Sequence, residues 1–266
     1  MTELPRVPTG VDPTVPSSAR VHNYLLGGKD HFEADRALAT RLLKAAPDSA
    51  ALARAGRRFL AGAVRHMARE GTEQFLDLGT GIPAPPSVHE VAREIRPGAR
   101  VAYVDYDPVV AMHNEVMFAG EEGVVSVRGD ARDPQAVLQD PRITGLLDFS
   151  RPVGLLLVGV LHFVTEEEDP AGIVRAFRDR MVPGSHLALS HGMADSDPEA
   201  VAQLQAGAEG TPTQSVLRTH ERVLALFEGF DLAEPGLVPV QRWRPEFDDP
   251  VRGLRIEGGV GVLRPA

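Results

Sequence analysis

The chain has 266 residues, enough for one large domain, with hydrophobic and charged shares ordinary for a globular protein. A net charge of −9 argues against non-specific nucleic-acid binding, which needs a basic face to displace counterions. The absence of cysteine excludes disulfides, thiolate metal sites and a cysteine nucleophile.

Residues 1–16, broken by four prolines, carry no apolar signal core and read as a flexible leader. From Ser17 the text mixes apolar, aromatic and ionisable residues around Gly27-Gly28. A helix is predicted from about Glu33 to Ala46, ended by Pro47. Asp48 or Ser49 can cap the next, whose apolar stripe is Leu52, Phe59, Ala63 and Met67. These helices precede the first convincing strand, so residues 17–73 read as an N-terminal helical cap on a core spanning 74–266.

Strands and helices then alternate. The first strand runs from Gln74 to Leu78, and the capping box Ser87-Val88-His89-Glu90 opens a helix with Val91, Ala92 and Ile95 on one face. The second strand covers 101–105, followed by a helix from Asp107-Pro108 to about Met117. The third covers 124–128, with a short helix at Asp133-Pro134, and the fourth is the apolar run Val153 to Val158. A helix with Ile173, Phe177 and Met181 leads to a fifth strand at 186–190. Thr219 can cap a helix ending at Phe227, and Asp231–Val240 and Ile256–Leu263 read as two late strands forming an antiparallel edge. The longest apolar run, Val153 to Val164, is too short to span a bilayer, so a soluble, cytoplasmic α/β protein with no membrane partner is expected.

Three strands end in acid. Asp77 stands just before Gly79-Thr80-Gly81, Asp105 follows 24 residues after Gly81, and Asp130 follows Gly129. Such endings at one rim, beside a turn of bare backbone, point to a bound adenosine. Pro83, Pro85 and Pro86 remove the amides that a pyrophosphate would need, and Asp77 repels phosphate. The turn therefore favours a donor carrying an ammonium and a sulfonium, S-adenosylmethionine, over a dinucleotide.

Asp77-Leu78-Gly79-Thr80-Gly81 resembles the first motif of class I S-adenosylmethionine-dependent methyltransferases, with Pro83 in place of its third glycine. From Pro16-Ser17-Ser18-Ala19-Arg20 through Trp243-Arg244-Pro245, the chain resembles a bacterial family of S-adenosyl methyltransferases. Its most specific stretch is Val21-His22-Asn23-Tyr24-Leu25-Leu26-Gly27-Gly28-Lys29-Asp30. The resemblance implies a Rossmann-like, doubly wound sheet of seven strands. It also implies that Asp77, Gly79, Thr80 and Gly81 border the methionine moiety, that Asp105 binds the ribose, and that Asp130 with Ala131 meets the adenine edge. Gly129 and Gly159, at the ends of the third and fourth strands, join this cofactor-binding set. Asp107 is either a second ribose contact or the N-cap before Pro108. Tyr24 either faces the ligand or packs the cap on the sheet.

Methyl transfer needs alignment, and a general base only where the acceptor loses a proton. His162 and His191, following the fourth and fifth strands, are the catalytic candidates. Arg20 and Lys29 could hold an acidic acceptor or the cofactor carboxylate, and Glu166–Asp169 reads as a solvated helix entrance. Gly159-Val160-Leu161-His162 stands where a nucleobase methyltransferase would carry an Asn-Pro-Pro-Tyr-type tetrapeptide, so a small-molecule acceptor is expected. No metal-ligand spacing is present. The alternatives are a non-catalytic sensor of S-adenosylmethionine or S-adenosylhomocysteine, and a nucleotide-dependent oxidoreductase.

Overall fold

The structure is a computed structural model describing residues 11–211, 213–243 and 253–265. Residues 1–10 of the expected leader, and Arg244-Pro245, lie outside the described residues.

Five parallel strands form the centre: β1 (Gln74–Leu78), β2 (Arg100–Asp105), β3 (Val124–Arg128), β4 (Gly154–Val158) and β5 (His186–Gly192). With β6 (Phe230–Leu232), β7 (Val238–Pro239) and β8 (Ile256–Leu263), the eight-stranded sheet runs β3-β2-β1-β4-β5-β8-β6, with β7 paired to β8. The order reverses between β1 and β4, the topological switch at which open α/β sheets bind ligands beyond their carboxyl ends.

One expectation for the late strands needs correction. Asp231–Val240 is not one strand, because the Pro235-Gly236 turn divides it, with the Gly236 amide donating to the Ala233 carbonyl. That division adds an eighth strand to the expected seven. The antiparallel edge is as expected: β8 pairs antiparallel with β5 on one side and with β6 on the other.

Alternation along each central strand builds two apolar layers. One holds Leu76, Leu78, Val104, Leu155, Leu157 and Leu189, covered by α8 (Pro170–Arg178) through Ile173, Val174 and Phe177. The other holds Phe75, Tyr103, Leu156 and Ala188 under α3 (Ser49–Arg69), which contributes Phe59, Ala63, Val64 and Met67. Thus α3 packs as a layer of the sheet, and the grouping of residues 17–73 as one cap does not describe it.

A smaller apolar cluster joins α1 (Ser18–Leu25), α2 (Glu33–Ala45) and α9 (Pro198–Ala208) through Val21, Leu38, Ala39, Leu42 and Leu204. The cap is therefore α1 and α2 with a late helix. A buried ionic knot docks it: Arg20 Nε meets Asp35 at 2.8 Å, and Asp35 also accepts from the Ser17 amide at 2.9 Å and the Phe32 amide at 2.7 Å.

Candidate functional site

The turn after β1 is shaped by backbone that only glycine adopts readily. Gly79 and Gly81 both have φ of +68°. A Cβ on Gly79 would come within 2.5 Å of Val160 Cγ2, whereas one on Gly81 would meet no described atom within 4 Å. The first glycine thus lets β1 pack against the turn after β4, and the second leaves bare backbone at the rim. Amides of Gly79 and Thr80 donate to the Val104 carbonyl at 2.8 and 3.3 Å, which folds the turn over β2.

Asp105 completes this turn. Its Oδ2 accepts from the Gly81 amide at 2.8 Å and its Oδ1 from the Asp107 amide at 2.9 Å. Burial pushes the carboxyl up to about 6, and the amides of Asp107 and Gly81 work against that rise. Each oxygen keeps acceptor capacity beyond its one amide, so the carboxylate is oriented and still able to bind hydroxyl groups. Asp107 is differently occupied. Its Oδ1 caps α5 (Pro108–Met117) by accepting from the Val109 amide at 2.8 Å. Its Oδ2 accepts from the Ser17 hydroxyl and lies 3.5 Å from Arg20 Nη1. Asp107 is a cap and a dock for the N-terminal segment, both oxygens being engaged by protein donors.

The third acid does not join the other two as expected. Arg132 grips Asp130 with Nε at 2.9 Å and Nη2 at 2.6 Å, and its amide donates to the same carboxylate at 2.9 Å. Burial acts to raise the Asp130 carboxyl, but Arg132 overcomes it and holds the group below the ordinary carboxylate range. Gly129 and Ala131, half-buried on either side, leave backbone at this part of the rim.

Asp77 lies in the α3-facing layer, paired in register with Tyr103 of β2. Burial pushes its carboxyl up to about 7, with Arg57 pulling it down and Asp105 pushing it further up. Arg57, on α3, was not singled out from sequence. Its Nη2 donates to the carbonyls of Ala84 at 2.5 Å and Pro86 at 2.9 Å, which fixes the proline loop beside the glycine turn.

The β4–β5 side holds the histidines. His191 is 0 % exposed, its Nδ1 lies 2.7 Å from the Gly192 carbonyl and its Nε2 2.8 Å from Arg218 Nη1. Because Arg218 only donates, Nε2 accepts and Nδ1 carries the hydrogen. Neither nitrogen is left for an acceptor, which corrects the catalytic role expected of His191. His162 sits in a single 3-10 turn, Leu161–Phe163, after Gly159. Its Nδ1 is buried without a hydrogen-bond partner, and its ring meets His191 edge-on at 5.7 Å. Burial, then the charges of His191, His22 and Arg218, lower its imidazole to about 3. His22, on α1, is exposed, and its charge is one of those that act on His162.

Arg218, also missed from sequence, wires this side. Only 3 % exposed, it donates to the carbonyls of Leu161 at 2.9 Å and Val164 at 2.8 Å as well as to His191. Its Nε reaches Glu166 at 2.8 Å, and Arg132 reaches Glu168 at 2.8 Å. The acidic run 166–169 thus ties segments together, besides placing Asp169 as the cap of α8.

In the cap, Tyr24 packs on the α1–α2–α9 cluster and meets His31 edge-on at 5.1 Å, which is the packing alternative. Arg20 is held by Asp35 and Asp107 and is not available to an acceptor. Among the described residues no group of His, Asp and Glu is placed to hold a metal ion, and no helix is long and apolar enough to cross a membrane.

Comparison with known proteins bears on this arrangement. A family model described as S-adenosyl methyltransferase matches residues 6–263. A crystal structure of a candidate methyltransferase from Thermobifida fusca YX is 36% identical, with a TM-score of 0.91 over 97% of this chain and 98% of that one. A DUF574 family protein from Streptomyces avermitilis MA-4680 is 35% identical, with a TM-score of 0.88 over 96% of this chain and 99% of that one. A Burkholderia thailandensis 1,6-didemethyltoxoflavin-N1-methyltransferase, solved with 1,6-didemethyltoxoflavin and S-adenosylhomocysteine, shares the fold at 17% identity. Its TM-score is 0.51 over 79% of each chain. No match is found among the curated proteins.

Proposed function

The chain belongs to the S-adenosyl methyltransferase family and uses S-adenosylmethionine as methyl donor, and on that premise we propose that its acceptor is a small molecule bound between the N-terminal cap and the sheet rim. What supports the proposal is the bare backbone at Gly81 beside the oriented, buried Asp105 carboxylate, with the buried Nδ1 of His162 left without a hydrogen-bond partner in the turn after β4. Neither the sensor nor the oxidoreductase alternative draws support from the family.

The residues present fit the donor. The bare backbone at Gly81 admits close approach, and the oriented Asp105 carboxylate suits ribose hydroxyls. Gly129 and Ala131 offer backbone to the adenine, whereas the Asp130 carboxylate is already held by Arg132. Once bound, the donor supplies a methyl group made electrophilic by its sulfonium.

The chain's own part is alignment. The cap is docked through Arg20, Asp35 and Asp107, which fixes α1 and α2 beside the start of α5. His162, neutral at pH 7, is too weak a base to ionise an ordinary hydroxyl. It can accept a hydrogen bond and orient the acceptor, with the effective concentration of a positioned reactant as the main contribution. An acceptor with a neutral nitrogen or an easily lost proton suits such a site.

Formation of S-adenosylhomocysteine can be followed with a bacterial extract divided by size. Turnover with the low-molecular-mass fraction supports the proposal, and turnover confined to the macromolecular fraction overturns it.

A further inference from the structure

We propose that His220, held in place by Glu257, is the general base that takes the acceptor's proton during methyl transfer. This rests on the small-molecule reading above and narrows it to acceptors that lose a proton on attack, such as a hydroxyl or a ring N–H.

The stretch 216–220 crosses the rim beyond β4 and β5 and is pinned at alternate residues. The Val216 amide donates to the His162 carbonyl at 2.7 Å, Arg218 Nη1 lies 2.8 Å from His191 Nε2, and His220 Nδ1 lies 2.6 Å from Glu257 Oε2. Because β8 runs antiparallel to β5, Glu257 near its start stands opposite His191 at the carboxyl end of β5. Directly opposed residues share one face of a sheet, with Cβ atoms about 5 Å apart. The His191 ring in turn meets His162 at 5.7 Å. One row thus leads from the orphaned nitrogen of His162 to the His220 ring.

The two members of the pair differ in access. Glu257 is buried, and its other oxygen lies 3.0 Å from Arg255 Nε, whose Nη2 reaches Asp195 at 2.6 Å. The carboxylate therefore already has a cation and does not need His220 to compensate its burial. The His220 side chain is 43% exposed. A carboxylate only accepts, so Nδ1 of the neutral ring carries the hydrogen and Nε2 presents its lone pair. No described residue bonds to Nε2. His191, by contrast, has both nitrogens occupied, and burial keeps His162 a weak base. An imidazole fixed through one nitrogen by a buried carboxylate, with the other free, is built to remove a proton.

In the step, Nε2 takes the acceptor's proton while the electron pair of that bond attacks the methyl carbon. The methyl–sulfur bond breaks with its pair left on sulfur, and the imidazolium, beside Glu257, then gives its proton to water. His162 orients the acceptor and His220 deprotonates it.

Formation of S-adenosylhomocysteine from S-adenosylmethionine and the low-molecular-mass fraction of a bacterial extract tests the assignment. His220→Ala should turn over about 100-fold more slowly or worse, the range of a general base, with calorimetric affinity for S-adenosylhomocysteine within about twofold of wild type. Added imidazole should restore part of the rate, which a residue that only braces the fold would not allow. Glu257→Gln keeps an acceptor for Nδ1 and should lose about tenfold in kcat, with the KM for S-adenosylmethionine unchanged. Turnover by His220→Ala within about threefold of wild type overturns the proposal, as does a loss that imidazole leaves untouched. Diethyl pyrocarbonate, which acylates accessible imidazoles, reads the wild-type protein itself: inactivation should follow modification of His220 mapped by mass spectrometry, and activity that survives full modification overturns the proposal. Where only the macromolecular fraction supports turnover, the small-molecule reading fails and the same comparison with that fraction decides the base. Absence of turnover with either fraction removes both.

Discussion

The two halves of the carboxyl rim use buried ionisable groups in opposite ways. Beyond β1 and β2, Asp77 and Asp105 are enclosed with few protein partners, and burial raises both carboxyls, to about 7 and about 6. Beyond β4 and β5, His191 and Arg218 are equally enclosed but bonded to one another and to the carbonyls of Leu161, Val164 and Gly192. Incomplete pairing on the first side leaves capacity for a ligand. Full pairing on the second side makes a rigid wall, with the free nitrogen of His162 at its edge. A strongly shifted group is therefore a ligand candidate only where its partners are incomplete.

The largest expected effect breaks the wall. Arg218→Ala removes donors from two buried carbonyls and from His191, so about 3–5 kcal/mol of stability should be lost in denaturant unfolding. Lysine should not restore it, because its ammonium lacks the planar fork that reaches three acceptors at once. A loss below about 1 kcal/mol would mean that the β4 turn holds itself.

On the other side the effect should fall on binding instead of folding. Asp105→Ala should weaken S-adenosylhomocysteine by about 1.5–3 kcal/mol, the worth of hydrogen bonds to a charged acceptor, in isothermal calorimetry. Unchanged affinity would show that the ribose lies elsewhere.

The pH dependence separates the halves by sign. With a folded value near 7, Asp77 holds a proton below that pH, which a donor whose ammonium borders Asp77, as the family resemblance implies, would have to displace. Affinity for S-adenosylhomocysteine should therefore rise about tenfold between pH 6 and pH 8, and Asp77→Asn should flatten the rise. The group's effect on apo stability runs the other way: a raised folded value stabilises below the unfolded value and is lost as pH rises through 7. For His162 and His191, lowered to about 3 and about 4, the unfolded chain takes up protons first, so stability falls as pH drops below 6.5.

What the sequence made legible was local. Asp107-Pro108 and Asp133-Pro134 start helices as expected, with the aspartate accepting from the amides of Val109 and Ala136. The same signal at Asp140-Pro141 and Asp197-Pro198 was not read, although both start helices by the same cap. The glycine turn and the strand ends at Asp77 and Asp105 were legible because strand, turn and acid lie within a few residues of each other. Arg57 and Arg218 were not, since their partners lie 27 to 57 residues away and nothing in their neighbourhood marks them. Likewise, the insertion of β8 between β5 and β6 depends on pairing between distant segments. His191 illustrates the remaining gap: its position at the rim was foreseeable, but the arginine that occupies its nitrogen was not.

The smallest expected effect sharpens why the two sides differ. Arg218 and Arg222 both reach Glu166, each at 2.8 Å, and the Glu166 side chain is 48% exposed. If the ion pair were what holds Arg218, Glu166→Gln would cost nearly as much as removing the arginine. If the carbonyls of Leu161 and Val164 and the His191 ring hold it, the glutamate adds only what a water-screened pair adds, and the loss should stay below about 1 kcal/mol. Denaturant unfolding of the two variants side by side decides between these. A small loss for Glu166→Gln beside a large one for Arg218→Ala means that neutral acceptors, the carbonyls of Leu161 and Val164 with His191 Nε2, seat a buried guanidinium firmly.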